Sequence, residues 1–125
     1  MGKPDARRRV GQRRSRRSGC PVACTLDLIG DKWTLLVIRD LLLGKTRYME
    51  FQNSEEKIPT NILADRLQRL ENANLIYRTR YRERPPRFEY HLTETGRSLK
   101  PVIGAIIQWA NKYIPETDRP PRRFD

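Results

Sequence analysis

Between residues 59 and 92 the apolar side chains change spacing from the period of a helix to that of a strand. This switch restricts the fold more than any other feature of the chain. From Pro59 or Thr60 to Asn72, Ile62, Leu63, Leu67 and Leu70 fall on one arc at about 100° per residue, with Asn61, Ala64, Asp65, Gln68 and Asn72 on the opposite arc. That pattern predicts a helix buried on one side, with short polar groups on the other. Two alternating runs follow. In Ile76 to Arg82 the arginines occupy one face, with Tyr77, Thr79 and Tyr81 on the other; Phe88, Tyr90 and Leu92 then alternate with Glu89, His91 and Thr93. Glu83-Arg84-Pro85-Pro86-Arg87 joins them, which predicts a β-hairpin with a stiff basic tip.

The flanking segments read as helices. Leu26, Leu28 and Ile29 lie on a short segment that Pro21 can open at its first turn and Gly30 ends. Asp31 stands as N-cap before Trp33 to Leu43, apolar almost all round apart from Arg39 and Asp40, with a stop at Gly44. This helix is the expected buried centre. Thr46 is a cap for a short third helix that turns Tyr48 and Phe51 inward, and Asn53 to Lys57 reads as a polar linker. Thr93 caps a last helical region containing Leu99, Val102, Ile103, Ile106, Ile107, Ala110 and Tyr113, which Pro101 should kink or split.

The 125 residues allow one domain, and the net charge of +11 is unevenly placed. Residues 1–19 hold eight Lys or Arg against Asp5, a net +7, with almost nothing apolar, and are expected to be a disordered Arg-rich tail. Residues 20–114 form the expected folded domain, and residues 115–125 a flexible C-terminal end. Outside the tail the excess is +4, equal to the five arginines less Glu83 in residues 76–87.

Several classes drop out. The longest uncharged stretch, Pro101 to Asn111, is too short to span a membrane, and the Arg-rich start lacks the apolar stretch of a signal peptide because Asp27 interrupts it. Two cysteines four apart do not make a disulfide scaffold, so a reducing cytoplasm is the default. A single histidine, His91, excludes the paired-His zinc helix and reads as structural; no metal or other cofactor is expected. Gly44-Lys45-Thr46 imitates the end of a P-loop, but the first glycine of that motif would fall on Arg39. Enzymatic activity is not expected.

Two short helices followed by a basic hairpin are the parts of a winged helix-turn-helix, mainly α with a small β-hairpin. A major groove about 12 Å wide admits one helix carrying short side chains, and long basic side chains belong where phosphates lie. The sequence distributes them that way. It also resembles the HxlR-type winged helix-turn-helix regulators of bacteria, within the MarR-like superfamily. The residues that carry the resemblance are Cys20-Pro21, Leu26 to Thr34, Arg39 to Gly44, Arg47 to Phe51, Ile58 to Leu67 and Pro85 to Gly96. It extends over about Cys20 to Tyr113; Cys24 and the arginine tail depart from the family pattern.

The resemblance implies a homodimer formed through the first and last helices, with the recognition helices in successive major grooves of double-stranded DNA. It also implies a repressor, in some members an activator, working in the bacterial cytoplasm at the nucleoid. Some members sense oxidants or electrophiles through a cysteine at the position of Cys20; the inducer is unknown.

Asn61, Asp65 and Gln68 are the expected base readers, since Asn or Gln can bond adenine and Asp can accept from cytosine N4; a solvated helix face is the plainer reading. Ala64 could meet a thymine methyl or simply favour the helix. Thr60 could donate to a phosphate or only cap the helix. Arg69, Arg84 and Arg87 are phosphate candidates, as are Lys45 and Arg47 beside the third helix; Arg78, Arg80 and Arg82 could be no more than the exposed side of the sheet. Arg66 lies on the buried arc, where a structural ion pair competes with DNA contact. Cys20 could be a redox sensor, or with Cys24 a small apolar residue in the interface. Trp33 and Trp109 read as core or dimer anchors. The competing functions are an RNA-binding or ribosome-associated basic module driven by the tail, and a winged-helix protein-interaction module.

Overall fold

The computed structural model describes residues 17–124. Helix α1 runs over Pro21–Ile29, with proline in its first turn, where a missing N–H breaks no helical bond. The carbonyl of Leu26 lies where a side chain on Gly30 would begin, 2.4 Å from an ideal Cβ, so the turn out of α1 requires glycine. Asp31 makes capping contacts from two residues before the N-cap position, which Trp33 occupies in place of the expected Asp31. Its carboxylate accepts from the backbone N–H groups of Trp33 and Thr34 at 3.1 and 3.2 Å and from the Thr34 hydroxyl, and α2 begins at Thr34–Leu42. No residue from Trp33 to Leu43 is fully exposed, as expected of the central helix.

Helix α3, Tyr48–Gln52, differs at its start from the expected Thr46 cap. Arg47 occupies the N-cap position, and Glu50 reaches back to accept from the N–H groups of Thr46 and Arg47 at 3.0 and 2.9 Å. Thr46 is drawn toward the sheet instead: its carbonyl accepts from the N–H of Tyr90 at 2.8 Å, and Arg47 bridges Glu89 as a one-residue third strand. A pairing this short has no alternation for the sequence to display.

Helix α4 spans Thr60–Asn72 with the predicted faces. Leu63, Leu67 and Leu70 are buried and Ile62 half-buried, while Asn61, Ala64, Asp65, Gln68 and Asn72 are exposed. Its N-cap is Pro59, so Thr60 is the first helical residue and not a cap. Strands β1, Ile76–Arg82, and β2, Arg87–Leu92, pair antiparallel from Ile76 opposite Leu92 to Arg82 opposite Arg87. Arg87 therefore opens β2 and does not lie within the turn.

Pro101 splits the last helical region as expected. Helix α5, Glu94–Arg97, is capped by the Thr93 hydroxyl, which accepts from the Gly96 N–H at 3.0 Å; α6, Lys100–Tyr113, carries Pro101 in its first turn. Ile29, Val37, Ile38, Leu41, Phe51, Leu63, Leu67, Leu70, Ile76 and Ile103 bring α1, α2, α3, α4, β1 and α6 into one core.

Two expectations concern the ends. Of the arginine-rich segment placed at 1–19, residues 1–16 lie outside the described residues, and Arg17 is paired with Asp27 at 2.6 Å. The C-terminal stretch, expected as a loose end, returns to the body. Asn111 donates to the Thr117 hydroxyl and the Asp118 carbonyl, Phe124 is buried in the core, and Arg123 Nη1 donates to the Leu42 carbonyl at 2.7 Å. One aromatic side chain after a proline-rich run is enough to anchor it, and composition alone does not reveal that slot.

Candidate nucleic-acid interface

Helices α3 and α4 are joined at Thr60. The Tyr48 hydroxyl donates to the Thr60 carbonyl at 2.7 Å, and Gln52 Nε2 donates to the Thr60 hydroxyl oxygen at 2.8 Å. The Thr60 hydroxyl keeps its own proton available for an acceptor outside the protein. These two contacts fix the angle at which α4 protrudes, and the sequence gives no local sign of them.

Along α4 the expected readers share one exposed face but not one state. Asn61 and Ala64 have no polar side-chain partner among the described residues. Asp65 accepts from Arg66 Nη1 and lies 4.0 Å from Arg69 Nη1, and Gln68 Nε2 donates to Asn72 at 3.1 Å. Arg66 also donates through Nε to Asp31 at 2.8 Å, with both side chains mostly covered, and this is the structural ion pair its place on the buried arc anticipated. Burial raises the Asp31 pKa, but the bonds from Thr34, Arg66 and Trp33 outweigh it and hold the carboxyl well below its usual range.

The hairpin arginines divide into two sets. Arg78 lies 3.6 Å from Glu71, Arg80 lies 3.0 Å from Glu83, and both stand over the Phe88 ring. Arg82, Arg84 and Arg87 are exposed and have no acidic partner among the described residues. Arg47, also exposed, stacks on the Tyr81 ring at 4.0 Å and reaches Glu89 at 3.4 Å. Lys45 is half-buried, donating to the Ser54 hydroxyl at 2.7 Å and lying 3.8 Å from the buried Asp40. Of the expected phosphate contacts, Lys45, Arg47 and Arg69 thus have partners within the protein, while Arg84 and Arg87 have no acidic partner among the described residues. His91 is structural, bonded to the Thr79 hydroxyl at 2.9 Å and stacked near Tyr77.

Two further features concern α1 and α6. Cys20 is exposed at the N-cap of α1, where the backbone N–H groups of Ala23 and Val22 lower its thiol pKa. Cys24 is half-buried and bonds the Ser18 carbonyl at 3.3 Å. Val102, Ile106, Trp109 and Tyr113 form an exposed stripe along α6, while Val22 and Leu26 are exposed on α1. Trp109 is 60% exposed, so within the single chain it is not a core residue; Trp33 is half-buried against the core.

A protruding helix with a polar edge, pinned to the helix before it and flanked by a basic two-stranded hairpin, defines a winged helix-turn-helix protein. The chain belongs to the HxlR-like helix-turn-helix family, whose model matches residues 28–118. It is 43% identical over 101 residues to the HTH-type transcriptional regulator YdeP of Bacillus subtilis, covering 81% of this chain and 79% of that one. Among solved structures it is similar to the redox regulator HypR in its oxidized form (TM-score 0.68, 35% identity, 80% of this chain and 100% of that one). It is also similar to the reduced form of the transcriptional regulator YodB from B. subtilis (TM-score 0.65, 30% identity, 81% and 100%). The protein is therefore a DNA-binding transcriptional regulator and not an enzyme. Among the described residues, no helix is long and apolar enough to cross a membrane.

Proposed function

We propose that this protein is a sequence-specific repressor that binds duplex DNA as a homodimer. The supporting observation is the exposed polar face of α4 together with the exposed Arg82, Arg84 and Arg87, which have no acidic partner among the described residues. Asn61, Ala64, Asp65 and Gln68 read bases in the major groove, and Thr60 and Arg69 hold phosphates at its edges. Arg84 and Arg87 grip the backbone from the hairpin, and residues 1–19 add sequence-independent attraction. Neutralising about six to ten phosphates makes affinity fall on the order of 10³–10⁵-fold between 50 and 200 mM salt. The test is binding to a duplex selected from a random pool and to a scrambled one. Asn61→Ala should relax preference at one base position, whereas Arg84→Ala should weaken both duplexes alike. If Arg84→Ala leaves both affinities unchanged, the hairpin does not hold DNA.

The dimer rests on the stripe of α6 and the exposed apolar residues of α1, which together form a surface too apolar to leave in water. Sedimentation should return twice the chain mass for the parent and one chain mass for Trp109→Glu; a monomeric parent removes the dimer from the proposal. Regulation is assigned to Cys20, exposed, with its thiol pKa lowered, on the helix that enters this interface, and the similar HypR is a redox regulator. Diamide should change operator affinity in the parent but not in Cys20→Ser; identical responses exclude sensing through this thiol.

A further inference from the structure

Arg66 joins two carboxylates that helix geometry alone does not bring together. Its Nε donates to Asp31 Oδ2 at 2.8 Å, and its Nη1 donates to Asp65 Oδ2. Neighbouring residues on a helix do not face each other, so the bond from Arg66 to Asp65 is not a product of α4 by itself. Asp31 supplies the missing constraint from the turn before α2. Both of its oxygens are fixed, Oδ2 by the backbone N–H groups of Trp33 and Thr34 and Oδ1 by the Thr34 hydroxyl, so the guanidinium is tied to a rigid anchor. The Arg66 side chain is 19% exposed and that of Asp65 55%, so the pair runs from the covered flank of α4 out to its polar edge.

The bond leaves Asp65 with one oxygen in use and one open. Oδ2 is held by Arg66 and lies 4.0 Å from Arg69 Nη1, while Oδ1 has no polar partner among the described residues. A lone exposed aspartate samples several rotamers and carries a charge that phosphates repel. Here two guanidiniums offset the charge, and the rotamer is set before DNA arrives, so less ordering is left to be done on binding. A carboxylate oxygen can only accept. In the major groove the donors are the exocyclic amino groups, cytosine N4 and adenine N6, whereas guanine and thymine present acceptors there.

We propose that Arg66 is a positioning residue for sequence recognition. Anchored by Asp31, it holds one Asp65 oxygen so that the other meets the exocyclic amino group of a cytosine or adenine in the major groove. The inference rests on the DNA-binding reading above. It gives the Asp31–Arg66 pair a second task besides fastening α4 to the turn before α2, and it makes Asp65 a base reader only while Arg66 holds it.

The test uses the full-length chain and the selected duplex, with every base pair substituted in turn. A wrong pair at a read position costs roughly tenfold in affinity. Asp65→Ala should abolish that discrimination at one position. Arg66→Lys keeps the charge but not the planar fork, and should cut the discrimination to below about threefold at the same position only. Asp31→Asn should lower it in the same direction, which covers the case in which Arg66→Lys does not fold. Asp65→Ala combined with Arg66→Lys should behave at that position like Asp65→Ala alone. Replacing the read cytosine by 2-pyrimidinone, or the read adenine by purine, removes the amino group. The analogue matching the read base should weaken the parent roughly tenfold and leave Asp65→Ala and Arg66→Lys nearly unaffected, which also tells cytosine from adenine. If Arg66→Lys and Asp31→Asn keep the parent's discrimination there while Asp65→Ala loses it, or weaken it at every position alike, Arg66 is structural only. If Asp65→Ala leaves the whole profile unchanged, or neither analogue matters, Asp65 reads no amino group; a preference lost elsewhere in Asn61→Ala would leave the DNA-binding reading standing. If the parent prefers the selected duplex no more than a scrambled one, both fail.

Discussion

Replacing Asp31 should cost far more than an ordinary surface aspartate, because one carboxylate serves two elements at once. It caps the approach to α2 through Trp33 and Thr34, and it holds Arg66 of the recognition helix at 2.8 Å. Losing an N-cap costs about 1 kcal/mol, and losing a charge-assisted bond between groups this well covered about 1.5–2 kcal/mol more. Asp31→Ala should thus lose about 3 kcal/mol, which for a chain of this size lowers Tm by roughly 12 °C. Asp31→Asn keeps a good capping oxygen but not the charge, and should lose only about half as much. Combined with Arg66→Gln it should cost less than the two single changes together, since each single change already breaks the pair.

The acid limb supplies an independent check. The folded-state pKa of Asp31 is depressed, so its contribution is complete above the ordinary aspartate value of about 3.9 and disappears as pH falls below it. Between pH 5 and 2 the parent should therefore lose more stability than Asp31→Asn. The assay is thermal unfolding by circular dichroism at one fixed protein concentration, because dimer formation would make Tm depend on concentration. If Asp31→Ala melts within about 3 °C of the parent, or no lower than Asp31→Asn, the double role is wrong.

Gly96 faces the Leu75 carbonyl, which would lie 2.0 Å from an added Cβ and already accepts the Thr93 N–H; Gly96→Ala should lose about 3 kcal/mol in denaturant melts. Gly104, in α6 with nothing within 4 Å of an added Cβ, should instead gain about 0.5–1 kcal/mol as alanine. Phe124→Ala should cost roughly 3 kcal/mol by emptying its slot, and limited proteolysis should then remove the C-terminal stretch first; unchanged protection would show that the stretch is not anchored there. The Glu56 carboxyl, bonded by Arg39 and held at about 2 against opposing burial, stabilises above the ordinary glutamate value of about 4.3 and stops doing so as pH falls toward 2. Its side chain is 38% exposed, so Glu56→Gln should cost under about 1 kcal/mol at pH 7 and only a small part of that at pH 2.

The elements were legible because they obey local rules. Helix α4 followed from the spacing of Leu63, Leu67 and Leu70, and the hairpin from alternation around Pro85 and Pro86. The break before α6 followed from Pro101, and the buried place of Arg66 from its angle among leucines. The exposed row Asn61, Ala64, Asp65, Gln68 was readable for the same reason: burying one arc of a helix leaves the opposite one in water. Local periodicity carries no information on which distant groups meet. Only the tertiary structure gave Arg66 to Asp31, Lys45 to Ser54 and Asp40, Arg47 to Tyr81 and Glu89, and Thr60 to Tyr48 and Gln52. Those contacts sort the basic residues into structural ions and side chains left for a ligand. Charge is set by composition, but its availability depends on which acids the fold brings within reach.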